Sequence, residues 1–448
     1  MKRYTLLSLQ NETMSDIIIL GDSMKYSESK NIELKRKFTN NIFKTISAFS
    51  NDEGGKIIIG VDDSGTIVGV SDLNNLRLKI ENQINDSIKP RPLFELKVKN
   101  IDDLDTLEIY VYQGETKPYY YNNVAYTRND TSTVPIDNIN LTQMILDGQN
   151  LSFDQMKSIR EDLTFKYVQK KFKEELKIEI LSEGNLVSLG LIKEGRYNYG
   201  AELLSDNGSF IQSFIDIAKF RLDIDTFEDR IQLRNESILK YYDDSLEVFN
   251  KYYSINEVVG ASTRTKVEPI PFIAYKEALV NAILHRDYLL KNGIQIAMFD
   301  NRIEIRSPGN LPKGITPEMY FEGMTSIPRN PVISFIFFRL GIIEQFGTGI
   351  NRIINSYRDT GTRPYFSINK NQLKIILPVI NYDYTKLKDV EAIDAFLSAQ
   401  PESSRKEIED ALSIDKTTII RRLNELIELG RIIKIGNGPS TKYSKKGV

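Results

Sequence analysis

The chain has 448 residues, with 59 Lys and Arg against 61 Asp and Glu, no cysteine and a single histidine. That length exceeds what one hydrophobic core supports, and the missing cysteines and second histidine exclude disulfides, thiolate zinc sites, cysteine nucleophiles and multi-histidine metal centres. Near-balanced charge confines any nucleic-acid surface to a local patch.

The first twenty residues, "MKRYTLLSLQNETMSDIIIL", interrupt their apolar runs with polar side chains, and the greasiest stretch elsewhere, "VISFIFFRLGII", is short and contains Arg339. Neither can cross a bilayer as a helix. The expectation is a cytoplasmic protein with no membrane partner.

Residues 28 to 70 run from a charged, strand-like "ESKNIELKRKF" through a helical "NNIFKTISAFSN" to "GGKIIIGVDDSGTIVGV", which reads as a hairpin around an Asp-Ser-Gly turn. Further strands ("LFELKVKNI", "LEIYVYQG", "VAYTRND") and a helix near 140 to 148 complete an α+β unit over residues 1–150. Residues 151–265 read as a helical, mixed region with short strands such as "SFIDIAKFR". Residues 266–382 give a helix, a hairpin "IQIAMFDNRIEIRSPG" with Ile294, Ile296 and Met298 facing inward, a Gly/Pro-rich loop, another helix and a closing strand. Residues 388–448 give three short helices and a hairpin with Gly436 and Gly438 in its turn, the order of a winged helix-turn-helix. The fold class is thus α+β and multidomain.

Chemistry concentrates in three places. In "EALVNAILHRDY", Glu277 and Asn281 are four apart, so on a helix both leave one face and can converge on a metal-bound phosphate. An Asn carbonyl suits Mg²⁺ and a neighbouring glutamate can orient or deprotonate water. His285 follows on the same face, read both as a phosphate contact and as a structural hydrogen-bonder. Downstream, "SPGNLP" holds Gly309, and "EQFGTGINRI" holds Gly347 and Gly349 where a loop enters a helix, a place where backbone can approach phosphate.

Together "EALVNAILHRDY", "RIEIRSPGNLP", "RNPVI" and "GTGI" resemble the GHKL (Bergerat-fold) ATP-binding domain in the divergent form found C-terminal in bacterial RecG-related Schlafen/AlbA-domain proteins. That resemblance implies an α/β sandwich with ATP and Mg²⁺ as cofactors. It makes Glu277 the general base, Asn281 the Mg²⁺ ligand, Gly309 part of the adenine-side loop, and Gly347 and Gly349 the phosphate loop. The family's adenine-reading aspartate should stand near Ser307, where this chain has serine.

The second place is N-terminal. Glu28, Glu33 and Asp63 are acids that strand, helix and turn could gather, and three carboxylates around divalent cations can hydrolyse a phosphodiester. The text "ESKNIELKRKF", "ISAFSNDEGGKIIIGVDDSGTIVGV" and "AYTRNDTSTVP" is similar to the Schlafen/AlbA domain. In its nuclease-active members two glutamates five apart and an aspartate after Gly-Val-Asp form the cleavage site, matching Glu28, Glu33 and Asp63, with Mn²⁺ as an implied metal. Lys35, Arg36, Lys37 and Arg128 would grip phosphates along the same domain.

The third is the tail. From Lys416 onward eight basic residues face two acidic ones. "DKTTIIRRLNELIELG" reads as a recognition helix capped by Asp415, with Ile419, Leu423 and Leu426 inward and Arg421 and Arg422 outward, and the wing presents Lys442. The expected whole is an ATP-binding, nucleic-acid-binding regulator, a DNA-binding transcriptional one by preference, with DNA or RNA as partner and acting as a homo-oligomer. The alternative is an enzyme, an ATP-gated, metal-dependent Schlafen-like endonuclease acting in defence against foreign nucleic acid.

Overall fold

The computed structural model describes residues 17–446, apart from 21–22, 209, 211–212, 226, 255, 260–263, 312–314, 323–326, 345–346 and 370. The chain divides into two compact units, Met1–Leu151 and Ser152–Val448.

In the first unit, β1 (Ile32–Lys35), α1 (Ile42–Asn51), β2 (Gly55–Ile59), α2 (Leu73–Ser87), β3 (Phe94–Ile101), β4 (Leu104–Val111), β5 (Val124–Asn129), β6 (Ser132–Pro135) and α3 (Asn138–Gly148) follow in order. The main sheet runs β1-β2-β4-β3, with β1 parallel to β2 and the other pairs antiparallel. The run Ile57–Ile59 is buried on both faces. Ile57 and Ile59 join Phe43, Ile46, Phe49, Ile80 and Ile84 of the helices, while Ile58 joins Ile32, Leu34 and Val61 on the reverse. A sheet covered on both faces demands such a continuous apolar run. The hairpin expected at residues 54–70 is reduced to a single bridge, Val61 to Ile67, because β2 takes β1 and β4 as its neighbours.

The second unit contains α4 (Lys166–Leu176), β7 (Ile215–Phe220), β8 (Phe227–Leu233), α5 (Ile238–Tyr253), α6 (Phe272–Leu284), β9 (Ile294–Phe299), β10 (Arg302–Pro308), α7 (Pro331–Arg339), α8 (Gly349–Ser356), β11 (Tyr365–Asn369) and β12 (Gln372–Pro378). Its six-stranded sheet has the order β8-β7-β9-β10-β12-β11, with only β7 and β9 parallel. Ile294, Ile296 and Met298 of β9 face the helices, as their alternation requires. The boundary read at residue 265 is not a break in packing. Strands β7 and β8 from the middle region complete the sheet, and one core runs from Leu163 to Leu377.

Helix α6 is apolar nearly all round, and its Tyr275 stacks on Phe249 of α5 at 4.4 Å. Such a composition fits a helix packed on most sides, and from Ala274 to Leu284 all but Lys276 and Asn281 are buried. The last elements are α9 (Asp389–Ala399), β13 (Ser403–Ser404), α10 (Arg405–Leu412), α11 (Lys416–Glu428), β14 (Ile432–Ile435) and β15 (Lys442–Lys445), with sheet order β13-β15-β14. Asp415 accepts from the amides of Thr417 and Thr418 at 3.0 Å, and Ile419, Leu423 and Leu426 are buried. No helix among the described residues is long and apolar enough to cross a membrane.

Candidate functional site

Because α6 is buried, a carboxylate on it has to be compensated. Glu277 is 8% exposed, and its Oε1 lies 3.1 Å from Arg352 Nη1 on α8. The same guanidinium pairs with Glu344, so Arg352 bridges two acids. Helix α8 opens with Gly349, where an added Cβ would fall 3.0 Å from Glu277 Oε2 and 3.4 Å from Asn281 Nδ2. A side chain at this position would have to displace Glu277 or Asn281 by a few tenths of an ångström. Glu277, Asn281, His285, Gly347, Gly349 and Arg352 all line one cavity of about 80 Å³. Five of these are residues that the sequence pattern places at one site. It missed Arg352, although that residue stands only three positions after Gly349.

His285 closes α6, with its Nδ1 enclosed and lacking a hydrogen-bond partner. Burial, reinforced by the charge of Arg329, lowers its pKa to about 4, so the ring is neutral at physiological pH. Asn330 holds this corner by donating from Nδ2 to the carbonyls of Leu284 and Arg286, both at 2.9 Å. That gives "RNPVI" a structural task, which local patterns do not reveal.

Two expected ligand residues have other occupations. Ser307 donates from Oγ to the Ala282 carbonyl at 2.8 Å, tying β10 to α6. Gly309 has φ +116° and packs so closely on Asp287 that a Cβ would sit 2.9 Å from the Asp287 Cβ. It does not line the cavity around Glu277. Its glycine is needed for backbone geometry at that strand end.

The cavity thus gathers a carboxylate and an amide side chain one turn apart, an enclosed imidazole, and a glycine close against the first two; of these, the oxygens of Glu277 and Asn281 are the kind of donor Mg²⁺ takes. Arg352 lines the same cavity and occupies Glu277 there.

The N-terminal carboxylates differ from expectation. Glu33 is held between two cations, Lys35 at 2.6 Å and Arg128 at 2.7 Å, and Glu28 lies 3.9 Å from the same Lys35 while accepting from the Leu34 amide at 3.0 Å. Asp63 is exposed on a turn organised by Asp62, which accepts from the amides of Ser64 and Thr66 at 3.0 Å. Among the described residues no group of three His, Cys, Asp or Glu side chains could hold a metal ion. Glu28, Glu33 and Asp63 therefore do not assemble the metal-binding trio, because protein cations stand where a metal would neutralise the two glutamates. No Mn²⁺ step is derived from them.

Arg128 is also corrected. Its side chain is 1% exposed, and besides Glu33 it donates to Thr133 Oγ1 and to the carbonyls of Ser29 and Lys30. It ties β5 to the segment before β1 and has no reach to a phosphate. Lys35 is likewise engaged. Arg36 and Lys37 are exposed and line an open groove of about 420 Å³ with Lys79, whose ammonium lies 5.0 Å over the Phe38 ring. Lys79 escaped notice because it lies on α2, outside the motif.

In the tail, Arg421 and Lys442 are exposed. Arg422 is not free: it pairs with Glu425 at 2.8 Å and lies 3.7 Å from Asp389.

Residues 28–137 match the protein family described as "Schlafen, AlbA_2", and residues 291–377 match that described as "Putative ATP-dependent DNA helicase recG C-terminal". The second match begins beyond Glu277 and Asn281, so those two rest on geometry. Among solved structures, the DIP2311 protein from Corynebacterium diphtheriae is similar at 19% identity over 93% of this chain and 92% of that one, with a TM-score of 0.45. The N-terminal domain of a protein described as "Putative ATP-dependent DNA Helicase RecG-related Protein", from Nitrosomonas europaea, is similar at 24% identity over 21% of this chain and 72% of that one, with a TM-score of 0.19. The assignment stands on the two sequence matches: the chain carries an N-terminal Schlafen/AlbA_2 domain and a RecG-related C-terminal domain of the HATPase kind.

Proposed function

We propose that this protein is an ATP-responsive nucleic-acid-binding regulator. The observation that carries the reading is the meeting of Gly349 with Glu277 and Asn281 in one cavity, with the partnerless His285 Nδ1 beside them. In this reading residues 266–382 form a Bergerat-type nucleotide domain. Asn281 holds Mg²⁺ through its carbonyl oxygen, the backbone at Gly347 and Gly349 receives phosphates, and Glu277 orients water. Bound Mg²⁺ would neutralise phosphate charge; the chain's own groups position it and exclude solvent. Admission of a nucleotide requires Arg352 to release Glu277.

The exposed Arg36, Lys37 and Lys79 then supply a phosphate-binding surface on the Schlafen/AlbA_2 domain. Residues 388–448 act as a winged helix whose Arg421 and Lys442 meet a duplex backbone. Nucleotide occupancy shifts the population of the binding-competent form. The cleavage reading has less support, since Glu33 is neutralised by Lys35 and Arg128.

Calorimetry with MgATP tests the nucleotide site: Asn281→Ala should weaken binding at least tenfold, the loss of a charge-assisted ligand, while Glu277→Ala retains it. Unchanged affinity in Asn281→Ala would remove the assignment. Mobility shifts of labelled DNA and RNA, with and without MgATP, test the regulator; degradation instead of a shift would favour the endonuclease.

A further inference from the structure

The reverse face of the six-stranded sheet carries a second cavity, of about 540 Å³, with walls from β7, β9, β10, β12 and the C-terminal segment. Strand alternation dictates its lining. Ile303 and Ile305 of β10 face the helical core, so Arg302, Glu304 and Arg306 face the other way. On β12, Lys374 is the direct cross-strand partner of Arg306. Like charges placed opposite one another repel, and here both belong to a largely buried cluster.

The charge on this cluster is not balanced. Glu304 is shared by Arg302 at 2.8 Å and Arg306 at 2.7 Å. Lys374 is 6% exposed and has neither an ion-pair nor a hydrogen-bond partner among the described residues. Arg306 Nε is buried without a partner as well. Three cations around one carboxylate leave an excess of two positive charges. The other charges lining the cavity do not correct this: Asp216 is taken by Arg230, Lys445 is engaged by Asp394 at 3.0 Å, and Asp223 and Lys446 are exposed. Burial, with repulsion from Arg306 and Arg302, lowers the pKa of Lys374 despite the attraction of Glu304. Lys374 and Arg306 both line the cavity, so this excess of positive charge can be met there by an anion.

We propose that this cavity binds the phosphate group of a small phosphate monoester, with Lys374 and Arg306 as its principal ligands. A monoester phosphate is close to a dianion at neutral pH and matches the excess of two charges, whereas a nucleic-acid phosphodiester brings one. Ala218, Ala297 and the Phe220 ring supply apolar wall for the body of the ligand. The cavity shares no lining residue with the one around Glu277. Because Ser398, Lys445 and Lys446 complete it, a bound ligand would join residues 388–448 to the sheet and act as an effector distinct from ATP.

The test uses the full chain carrying Asn281→Ala, without added Mg²⁺, which weakens the Mg²⁺-dependent binding proposed for the first cavity. Inorganic phosphate and glucose 6-phosphate are titrated against NaCl of matched ionic strength, with thermal unfolding and calorimetry as readouts. The parent should gain several degrees in unfolding midpoint at saturating ligand. Lys374→Met should bind both probes about tenfold or more weakly. Arg306→Gln, on a side chain 39% exposed, gives an independent check should Lys374→Met fail to fold. Equal binding by Arg306→Gln or by a folded Lys374→Met, or no stabilisation of the parent beyond NaCl, would overturn the proposal. Binding of inorganic phosphate but not glucose 6-phosphate would overturn the monoester assignment.

Discussion

Arg352 and Glu277 are 75 residues apart in sequence and 3.1 Å apart in space, and both line the cavity in which Asn281 and Gly349 meet. In the proposed function a nucleotide displaces this bridge, so Arg352→Gln should tighten MgATP about fivefold, the equivalent of an ion pair worth about 1 kcal/mol. Calorimetry decides it. A weaker Kd would mean that Arg352 itself holds the phosphates.

The two kinds of basic residue in the N-terminal domain should separate cleanly. Arg128→Ala leaves Glu33 buried with one cation fewer and cuts bonds to two backbone carbonyls, so denaturant unfolding should show a loss of about 3–5 kcal/mol. Arg36→Ala with Lys37→Ala should leave stability within about 0.5 kcal/mol. Instead it should lower nucleic-acid affinity and reduce the slope of log K against log salt by about 0.9 per lost duplex contact. An unchanged slope would place the binding surface elsewhere.

The tail can be tested the same way. Arg421→Ala should flatten the salt dependence of duplex binding by the full chain by about one contact, whereas Arg422→Ala should change it little, because Glu425 and Asp389 already engage that side chain. Equal effects would show that the Arg422 pairs give way on binding.

Two buried groups should act on stability in opposite directions in acid. His285 falls from 6.5 to about 4 on folding. Below pH 6.5 the unfolded chain therefore takes up the proton first, and stability is lost as pH drops toward 4. Asp154, which accepts from the Ile333 amide at the start of α7, rises from 3.8 to about 6 by burial. The folded state then binds the proton first, and stability is gained as pH falls through 6. Asp154→Asn should therefore steepen the acid loss between pH 6 and 4, and His285→Gln should flatten it. Denaturant midpoints across that window are the measurement; parallel curves for all three proteins would refute both assignments.

Local chemistry made much of this chain readable. Alternation oriented Ile294, Ile296 and Met298, helical spacing put Glu277 and Asn281 on one face, and Asp415 announced the start of α11. In each case the interacting groups are within a few residues, so a periodic pattern contains the answer. The hairpin at residues 54–70 failed as a prediction because a strand chooses neighbours by the core it completes, and β2 found better ones in β1 and β4.

The remaining decisions belong to tertiary structure. The carboxylates Glu28 and Glu33 look alike on the page beside Asp63; only the fold brings Arg128 across 95 residues to neutralise Glu33 and leaves Asp63 on an exposed turn. Likewise nothing in "DNRIEIRSPG" or "NQLKIILPV" reveals that Arg306 and Lys374 are cross-strand partners with one glutamate between three cations. Ion pairing and burial depend on which strands become neighbours and in which register, and a shift of one residue would reverse every facing. The sequence by itself determined which side chains share a local face; the long-range register of sheets and helices decided which of them are free to meet a ligand.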